Sequence, residues 1–595
     1  MEAKVCIQNQ AIGYAWPAVF PGPIHGKVQA TCPAPYPALS SRGRRPVAAQ
    51  HEDRSGAIIG RKLEHGEPNK AFVCIEQPRR ALLNTSLQWY KFCFLQSLMA
   101  TGQTSSPEDI SRFAQYDAGH DFYDGIFSAD GRAREACHDL VDFLKTVGVE
   151  GLQGLQRDAD LSLLNQGITF TVYSDDRGTE KIFPFDMIPR VITAERWEAL
   201  EAGLRQRLCA MNLLLQDIYG DQKIIREKVI PPELVLNSPN FCRAMMGLKV
   251  PKGVYVHVAG VDLIENEKGD FLVLEDNLRV PSGVSYLLEN RIVMSRVMPD
   301  LLRKHRVRRV DHYPQLLLDA LRSMSEKPDP SIVVLTPGIY NSAYFEHSYL
   351  AAQMGVQLVE GRDLIADDNK LYMKTTSGLK SIDVVYRRVD DEFLDPVAFR
   401  SNSILGVPGI ANAYRHGNVV LANAPGTGVV DDKAMYVFVA DAIRFYLNQE
   451  PILQQVPTYL GRRPEDLKYI LAHLEELVVK PTDGSGGYGL LVGSAASKEE
   501  LSEMRAALKV SPERFVAQPI QNLSTLPTLV GSDAPEIAPR HVDLRPFCIS
   551  RGVDDMKILP GGLTRVALKE GSLVVNSSQG GGSKDTWVLQ PGVGR

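Results

Sequence analysis

The stretch Val478-Val479-Lys480-Pro481-Thr482-Asp483-Gly484-Ser485-Gly486-Gly487-Tyr488-Gly489 carries the strongest local signal in the chain. It contains G-x-G-x-x-G at Gly484, Gly486 and Gly489, a string that marks a dinucleotide site only where the loop opens directly onto a helix. Here Leu490-Leu491-Val492-Gly493 reads as a strand, and the next helix is predicted to start at Ser497, with Glu500 completing a capping box. The context is therefore strand, glycine loop, strand. A glycine hairpin lets backbone amides close over a polyphosphate, because no Cβ blocks the approach and positive φ is accessible. Lys480, at the end of the first strand, places a point charge within reach of the same phosphates. Kinases place their lysine after the glycine loop, whereas this one precedes it.

A second signal lies about two hundred residues upstream, between Asp262 and Gly283. Strands are expected at Val254–Val258 and Phe271–Leu274, the second behind the turn Glu267-Lys268-Gly269-Asp270. Residues two apart on a strand share a face, so Glu275 and Asn277 point one way and Asp276 the other. If the two segments pair across the turn, Asp262 approaches the Glu275 face. Two carboxylates and one amide oxygen are hard ligands suited to Mg²⁺ that also takes phosphate oxygens and water.

Together these two pieces resemble the ATP-grasp superfamily, in which a lysine and a loop of the form KPxxGSGGxG cover the nucleotide, while an Asp or Glu and an ExN on the adjacent strand hold Mg²⁺. Lys480 to Gly489 matches the first pattern, and Asp262, Glu275 and Asn277 match the second. The order is reversed relative to the usual arrangement, so the resemblance is to the circularly permuted ATP-grasp proteins, including the glutathionylspermidine synthase-like group. It covers roughly residues 115–590.

The resemblance implies a mixed α+β and α/β fold: two α+β lobes around a nucleotide cleft, flanked by a Rossmann-like pre-ATP-grasp domain. It implies ATP and Mg²⁺ as cofactors. Lys480, Gly484, Ser485, Gly486, Gly487 and Gly489 would hold the nucleotide. Phe515-Val-Ala-Gln518-Pro519-Ile520 looks like the family's hinge strand, with Gln518 and Ile520 near adenine and ribose; as a sequence it suits an edge strand. Arg565, in Pro560-Gly-Gly-Leu-Thr-Arg-Val-Ala567, would join Lys480 in catalysis by stabilising an acyl phosphate. Many family members carry a further nucleotide lysine upstream of the glycine loop, for which Lys433 and Lys468 are the candidates here. His541-Val-Asp543-Leu-Arg545 can aim Asp543 and Arg545 at one site, and Lys584 in Gly580–Asp585 can flank the phosphates.

Around these motifs the chain divides into four expected regions. Residues 1–104 read as an N-terminal extension: residues 1–50 hold seven prolines, five Lys/Arg and one acidic residue, which is tail composition. Residues 105–330 carry helices and the Mg²⁺-binding lobe. Within them Thr193 caps a helix whose apolar residues recur every three or four positions from Trp197 to Ile218, until Gly220 stops it. Residues 331–450 begin a β-loop-α-β unit with strands at Ser331–Leu335, Val356–Val359, Val384–Tyr386 and Val419–Leu421 and a helix at Tyr349–Met354. Tyr344, Glu346 and His347 follow its first strand, where open sheets bind ligands, and Arg387 and Arg388 can hold a substrate carboxylate as a fork. Residues 451–595 carry the glycine loop.

Composition excludes several classes. The 595-residue chain is too long for one ordinary core, and 44% hydrophobic with 23% charged residues suits a globular protein. A net charge of −5 offers no general footprint for nucleic acid. Eight cysteines without a CxxC pair argue against a disulfide scaffold or zinc ribbon, so Cys242 and Cys548 read as packing residues. No segment reads as a membrane span or signal peptide, and cytoplasm is the expected location. The expected activity is an ATP- and Mg²⁺-dependent carboxylate-amine ligase taking a small-molecule or peptide carboxylate and an amine acceptor through an acyl phosphate. An ATP-dependent phosphotransferase and a nucleotide-binding regulator without turnover are the alternatives.

Overall fold

The protein is described by a computed structural model, which covers Tyr116 and residues 122–172, 179–339, 341–484, 489–531, 535–575 and 580–592. The expected extension at 1–104 and loop residues Ser485, Gly486 and Gly487 lie outside the described residues.

The largest sheet runs in the order Gln454–Gln455, Phe271–Asn277, Val258–Glu265, Glu536–Ser550, Met556–Val566, Gly582–Val588, Phe185–Ile192, with Thr525–Val530 added on the long Glu536–Ser550 strand. Its two ends are parallel pairs and its middle is antiparallel. The predicted helix spans Ala194–Ile218, and the Thr193 hydroxyl accepts from the Arg196 amide. Its apolar stripe, including Trp197, Leu204, Leu208, Met211 and Leu215, is fully buried. At about 25 cal/mol per Å² of apolar surface removed from water, that burial is what holds the helix in place.

The hairpin strand begins later than the sequence suggests, at Val258 instead of Val254. The reason lies in the amides of Tyr255, Val256, His257 and Val258, which donate to two asparagine side chains: Asn212 Oδ1 takes the first two and Asn423 Oδ1 the last two. Segment 255–257 is thus satisfied without a ladder partner. The partner strand runs to Asn277, further than the expected Leu274. At the turn between them Gly269 has φ of +81°, and a Cβ there would stand 2.4 Å from the Tyr123 ring, so only glycine fits.

A four-stranded parallel sheet follows, in the order Val420–Ala422, Val384–Arg387, Ile332–Leu335, Gln357–Val359. Its helix begins at Tyr344, five residues before the sequence-based expectation. Side chains alternate between two cores: Val333, Leu335, Val385 and Leu421 enter one, while Val334, Val384, Tyr386 and Val420 enter the other. A third, four-stranded antiparallel sheet carries the glycine loop, ordered Tyr459–Leu460, Phe515–Pro519, Leu477–Pro481, Leu491–Val492. Helices Pro464–Ala472 and Lys498–Val510 cover one face and share with it a small core of Ile470, Leu474, Leu477, Val479, Leu501, Leu508 and Ala517. The Ser497–Glu500 capping box is present.

Candidate active site

Lys480 and Glu275, two hundred residues apart in sequence, line one cavity, together with Leu274, Asp431, Lys433 and Gln518. Lys480 projects from the central Leu477–Pro481 strand, and its ammonium donates to Gln518 Oε1 at 2.7 Å. Gln518 in turn donates from Nε2 to Thr458 Oγ1 at 3.0 Å. Burial pushes Lys480 down to about 8, with Lys433 acting in the same direction and Glu275 and Asp262 against it.

The Phe515–Pro519 strand is flanked on both sides, by Tyr459–Leu460 and by Leu477–Pro481, so it is not the edge strand its sequence suggests. The Gln518 side chain holds Lys480, and the Ile520 amide donates to the Glu476 carbonyl at 3.1 Å. Gly484 and Gly489 bracket the loop. Gly489 has φ of +71°, and Gly484 gives its carbonyl to the Lys433 ammonium.

Of the two candidates for a second lysine, Lys433 lines this cavity, while Lys468 is exposed on a helix. The Lys433 amide also donates to the Thr482 carbonyl at 3.1 Å, and its ammonium stands 3.7 Å from Glu275 Oε2. Its two preceding residues fix it. Asp432 caps the short helix by accepting from the Ala434 amide, and its carboxyl is pushed up to about 6 by burial. Asp431 Oδ2 accepts from the amides of Leu278 and Arg279 and from Arg279 Nε, which clamps the segment leaving Asn277. The signal that marks this lysine in sequence is a capping aspartate directly before it, after the Gly426-Thr-Gly turn.

On the sheet, Asp262 lies directly opposite Glu275, and Asn277 opposite Gly260. Asp276 points to the other face, as strand alternation requires, and receives a bidentate pair from buried Arg207 at 2.9 and 2.6 Å. Glu275 is partly exposed; among the described residues it makes no hydrogen bond, and its ion-pair partner is Lys433. The Asn277 amide has a buried nitrogen without a partner among the described residues. Asp262 is different. Arg545 grips both its oxygens, at 2.5 and 2.8 Å, and Arg565 adds a bond to Oδ2 at 2.7 Å. Burial alone would raise the Asp262 carboxyl, but the two guanidiniums outweigh it and hold it below the ordinary carboxylate range. Arg565 also forks onto Asp543, whose carboxyl burial raises. The expectation of Asp262 as an open metal ligand is corrected accordingly: of its lone pairs, those of Oδ2 are both engaged and one on Oδ1 remains.

Hard-oxygen chemistry still fits Glu275 and Asn277. The Glu275 carboxylate and the Asn277 Oδ1 are hard oxygen ligands two residues apart on one strand face, while the orphaned Asn277 Nδ2 is a donor that calls for an acceptor such as a phosphate oxygen. Among the described residues no cluster of three His, Cys, Asp or Glu side chains is placed to hold a metal ion.

The residues expected to bind substrate in the 331–450 region are not brought to this cavity. Glu346 is fully buried and accepts from the Gly283 amide, the Ser285 amide and the Ser285 hydroxyl, and pairs with Arg388 at 3.1 Å. Arg388 also donates to the Pro281 carbonyl; Arg387 donates to the carbonyls of Asn423, Val389 and Ala424 and pairs with Asp391. Neither guanidinium is a free fork for a carboxylate. His347 is buried against Thr336 Oγ1 at 2.8 Å and burial holds it neutral, while Tyr344 sits in the first turn of its helix, partly exposed. Lys584 is buried in the large sheet with Asp186 and the carbonyls of Ile188 and Pro527, so it does not flank phosphates. Cys242 and Cys548 are buried packing thiols, as expected; burial pushes Cys242 up to about 12 and Cys548 higher still.

Residues 189–567 match the family model described as circularly permuted ATP-grasp type 2. The chain belongs to the circularly permuted ATP-grasp type 2 family. An uncharacterized protein of Synechocystis is 52% identical over 477 residues, covering 80% of this chain and 98% of its own. A Frankia alni protein named "Putative glutamate--cysteine ligase 2-3" is 38% identical over 471 residues, 78% of this chain; the match spans about half, 54%, of the Frankia protein. The solved apo structure of a glutathione synthetase-like effector from Globodera pallida aligns with a TM-score of 0.48 at 11% identity, over 74% of this chain and 98% of its own. Among the described residues no helix is long and apolar enough to cross a membrane.

Proposed function

We propose that the protein is an ATP- and Mg²⁺-dependent carboxylate-amine ligase. ATP transfers its γ-phosphoryl group to a substrate carboxylate, and an amine then attacks the acyl carbon, expelling phosphate and releasing a proton as the amide forms. The observation that carries this reading is the meeting of Lys480, Lys433 and Glu275 in one cavity, beside the Asp262–Arg545–Arg565–Asp543 network. Family membership and the name of the Frankia relative support the reaction class.

Lys480 and Lys433 are point charges for the phosphates. Arg565 and Arg545 are held by carboxylates in fixed orientations, as stabilisers of charge developing on a transferring phosphoryl group must be. Glu275 and Asn277, with the remaining lone pair of Asp262, would hold Mg²⁺, whose contribution is charge neutralisation on the phosphoryl oxygens. No side-chain nucleophile is needed.

Release of ADP and phosphate should be measured against amino acids, short peptides and polyamines as acceptors, with and without hydroxylamine. A ligase gives amine-stimulated phosphate release, and hydroxylamine traps the acyl phosphate as a hydroxamate. Phosphorylated product without stimulation by any amine would establish the phosphotransferase instead, and nucleotide binding without ADP release the regulator.

A further inference from the structure

Apart from Asp432, which accepts from the Ala434 amide, the carboxylates at and beside the cavity stand against cations. Glu275 faces Lys433 at 3.7 Å, and Asp262 carries Arg545 and Arg565. Asp431 pairs with Arg279 at 2.9 Å and Asp276 with Arg207 at 2.6 Å, both turned to other structural tasks. The Lys480 ammonium has no ion pair: among the described residues its hydrogen-bond partner is the neutral Gln518 amide.

Resting on the ligase reading of this site, we propose that Lys433 is a resident counter-cation of Glu275 that excludes a bare divalent cation, so that metal and nucleotide enter only as a unit. A divalent cation approaching alone meets Lys433 beside Glu275 and two guanidiniums on Asp262, and to take the Glu275 oxygens it must displace the Lys433 ammonium. With a triphosphate present the displaced ammonium acquires another anion. Lys433 is suited to the transfer because it already touches the glycine-loop base at the Gly484 carbonyl while lying within ion-pair distance of Glu275. Metal and nucleotide thereby become positively coupled ligands, each raising the other's affinity by the same factor.

Full-length protein titrated with Mn²⁺, free Mn²⁺ being read by electron paramagnetic resonance, tests this without turnover. Wild type should bind Mn²⁺ alone weakly, and Lys433→Met should bind it more tightly by on the order of tenfold. Adenylyl imidodiphosphate, a non-hydrolysable ATP analogue, should bind Lys433→Met more weakly than wild type, and the gain in its affinity on adding Mn²⁺ should shrink. Lys433→Gln, which keeps a polar head without charge, should behave like Lys433→Met, and thermal melting of both variants confirms folding. Equal Mn²⁺ affinity in wild type and variants, while analogue and Mn²⁺ still bind together, overturns the exchange alone. Failure of wild type to bind the analogue even with Mn²⁺ overturns the ligase reading and this proposal with it.

Discussion

Raising the pH from 7.5 to 9.5 should strip the charge from Lys480 and, with it, much of the protein's affinity for nucleotide. Burial holds this lysine at about 8. An anionic phosphate beside the ammonium favours the charged form and returns the group toward the ordinary lysine value of about 10.4. Because the bound form then holds the proton more tightly than the free form, binding takes up a proton near pH 8. Affinity is full below the free value and is lost as pH rises through it. Linkage between a free value of about 8 and a bound value of about 10.4 gives roughly a 20-fold weakening across this interval, about 1.8 kcal/mol. Asp432, at about 6, titrates below the window and does not contribute. Calorimetric titration of the nucleotide analogue in two buffers of different ionisation enthalpy measures both quantities, with about half a proton taken up at pH 8. Lys480→Met should lose affinity at pH 7.5 and show none of the lysine-dependent decline. A wild-type affinity that is flat across the interval, or that falls in parallel with Lys480→Met, would refute the assignment of Lys480 to the phosphates.

Glu275→Gln combined with Asn277→Ala should abolish metal-dependent ATP consumption while changing stability by about 0.5 kcal/mol or less, since neither side chain makes a hydrogen bond among the described residues; near-normal consumption would exclude them as metal ligands. Arg207→Met should cost about 3–5 kcal/mol in denaturant unfolding, because it leaves Asp276 buried and uncompensated. Glu346→Gln should lower the melting temperature yet leave KM for every substrate unchanged in the folded fraction; a selective rise in KM for one substrate would return Glu346 to the substrate site.

Local patterns in the sequence led directly to much of this site. The strand period alone separates Glu275 and Asn277 from Asp276, and Arg207 waiting on the other face agrees. The strand after the glycine loop and the Ser497 capping box are also local facts, and both are present. What failed is long-range charge matching. Nothing near Arg387 and Arg388 in sequence announces that carbonyls of Pro281, Asn423 and Ala424 will absorb their donors. Lys584 meets Asp186 across 398 residues, through a parallel strand pair that no local period encodes. The choice between Lys433 and Lys468 is not legible in the sequence because it depends on where a short capped helix is docked. The strand period puts Asp262 on the Glu275 face, but the two arginines that occupy it come from strands 283 and 303 residues later.

The alternation of the parallel sheet between two cores has a consequence for how this protein can be divided. Each of its strands sends neighbouring side chains into different hydrophobic clusters, and both clusters also contain residues of the large sheet and its helices. Cutting the chain at 331 and 450 would expose apolar surface on both sides of the cut, so that segment is no interchangeable module and must melt with its surroundings. The hairpin that bears Lys480 is built otherwise, with seven buried residues gathered between its own sheet and its own two helices. Its other face is tied to the rest, because Leu460 and Val516 of the same sheet belong to the first large cluster, so exchange of this element among relatives would have to preserve the fit at those two positions.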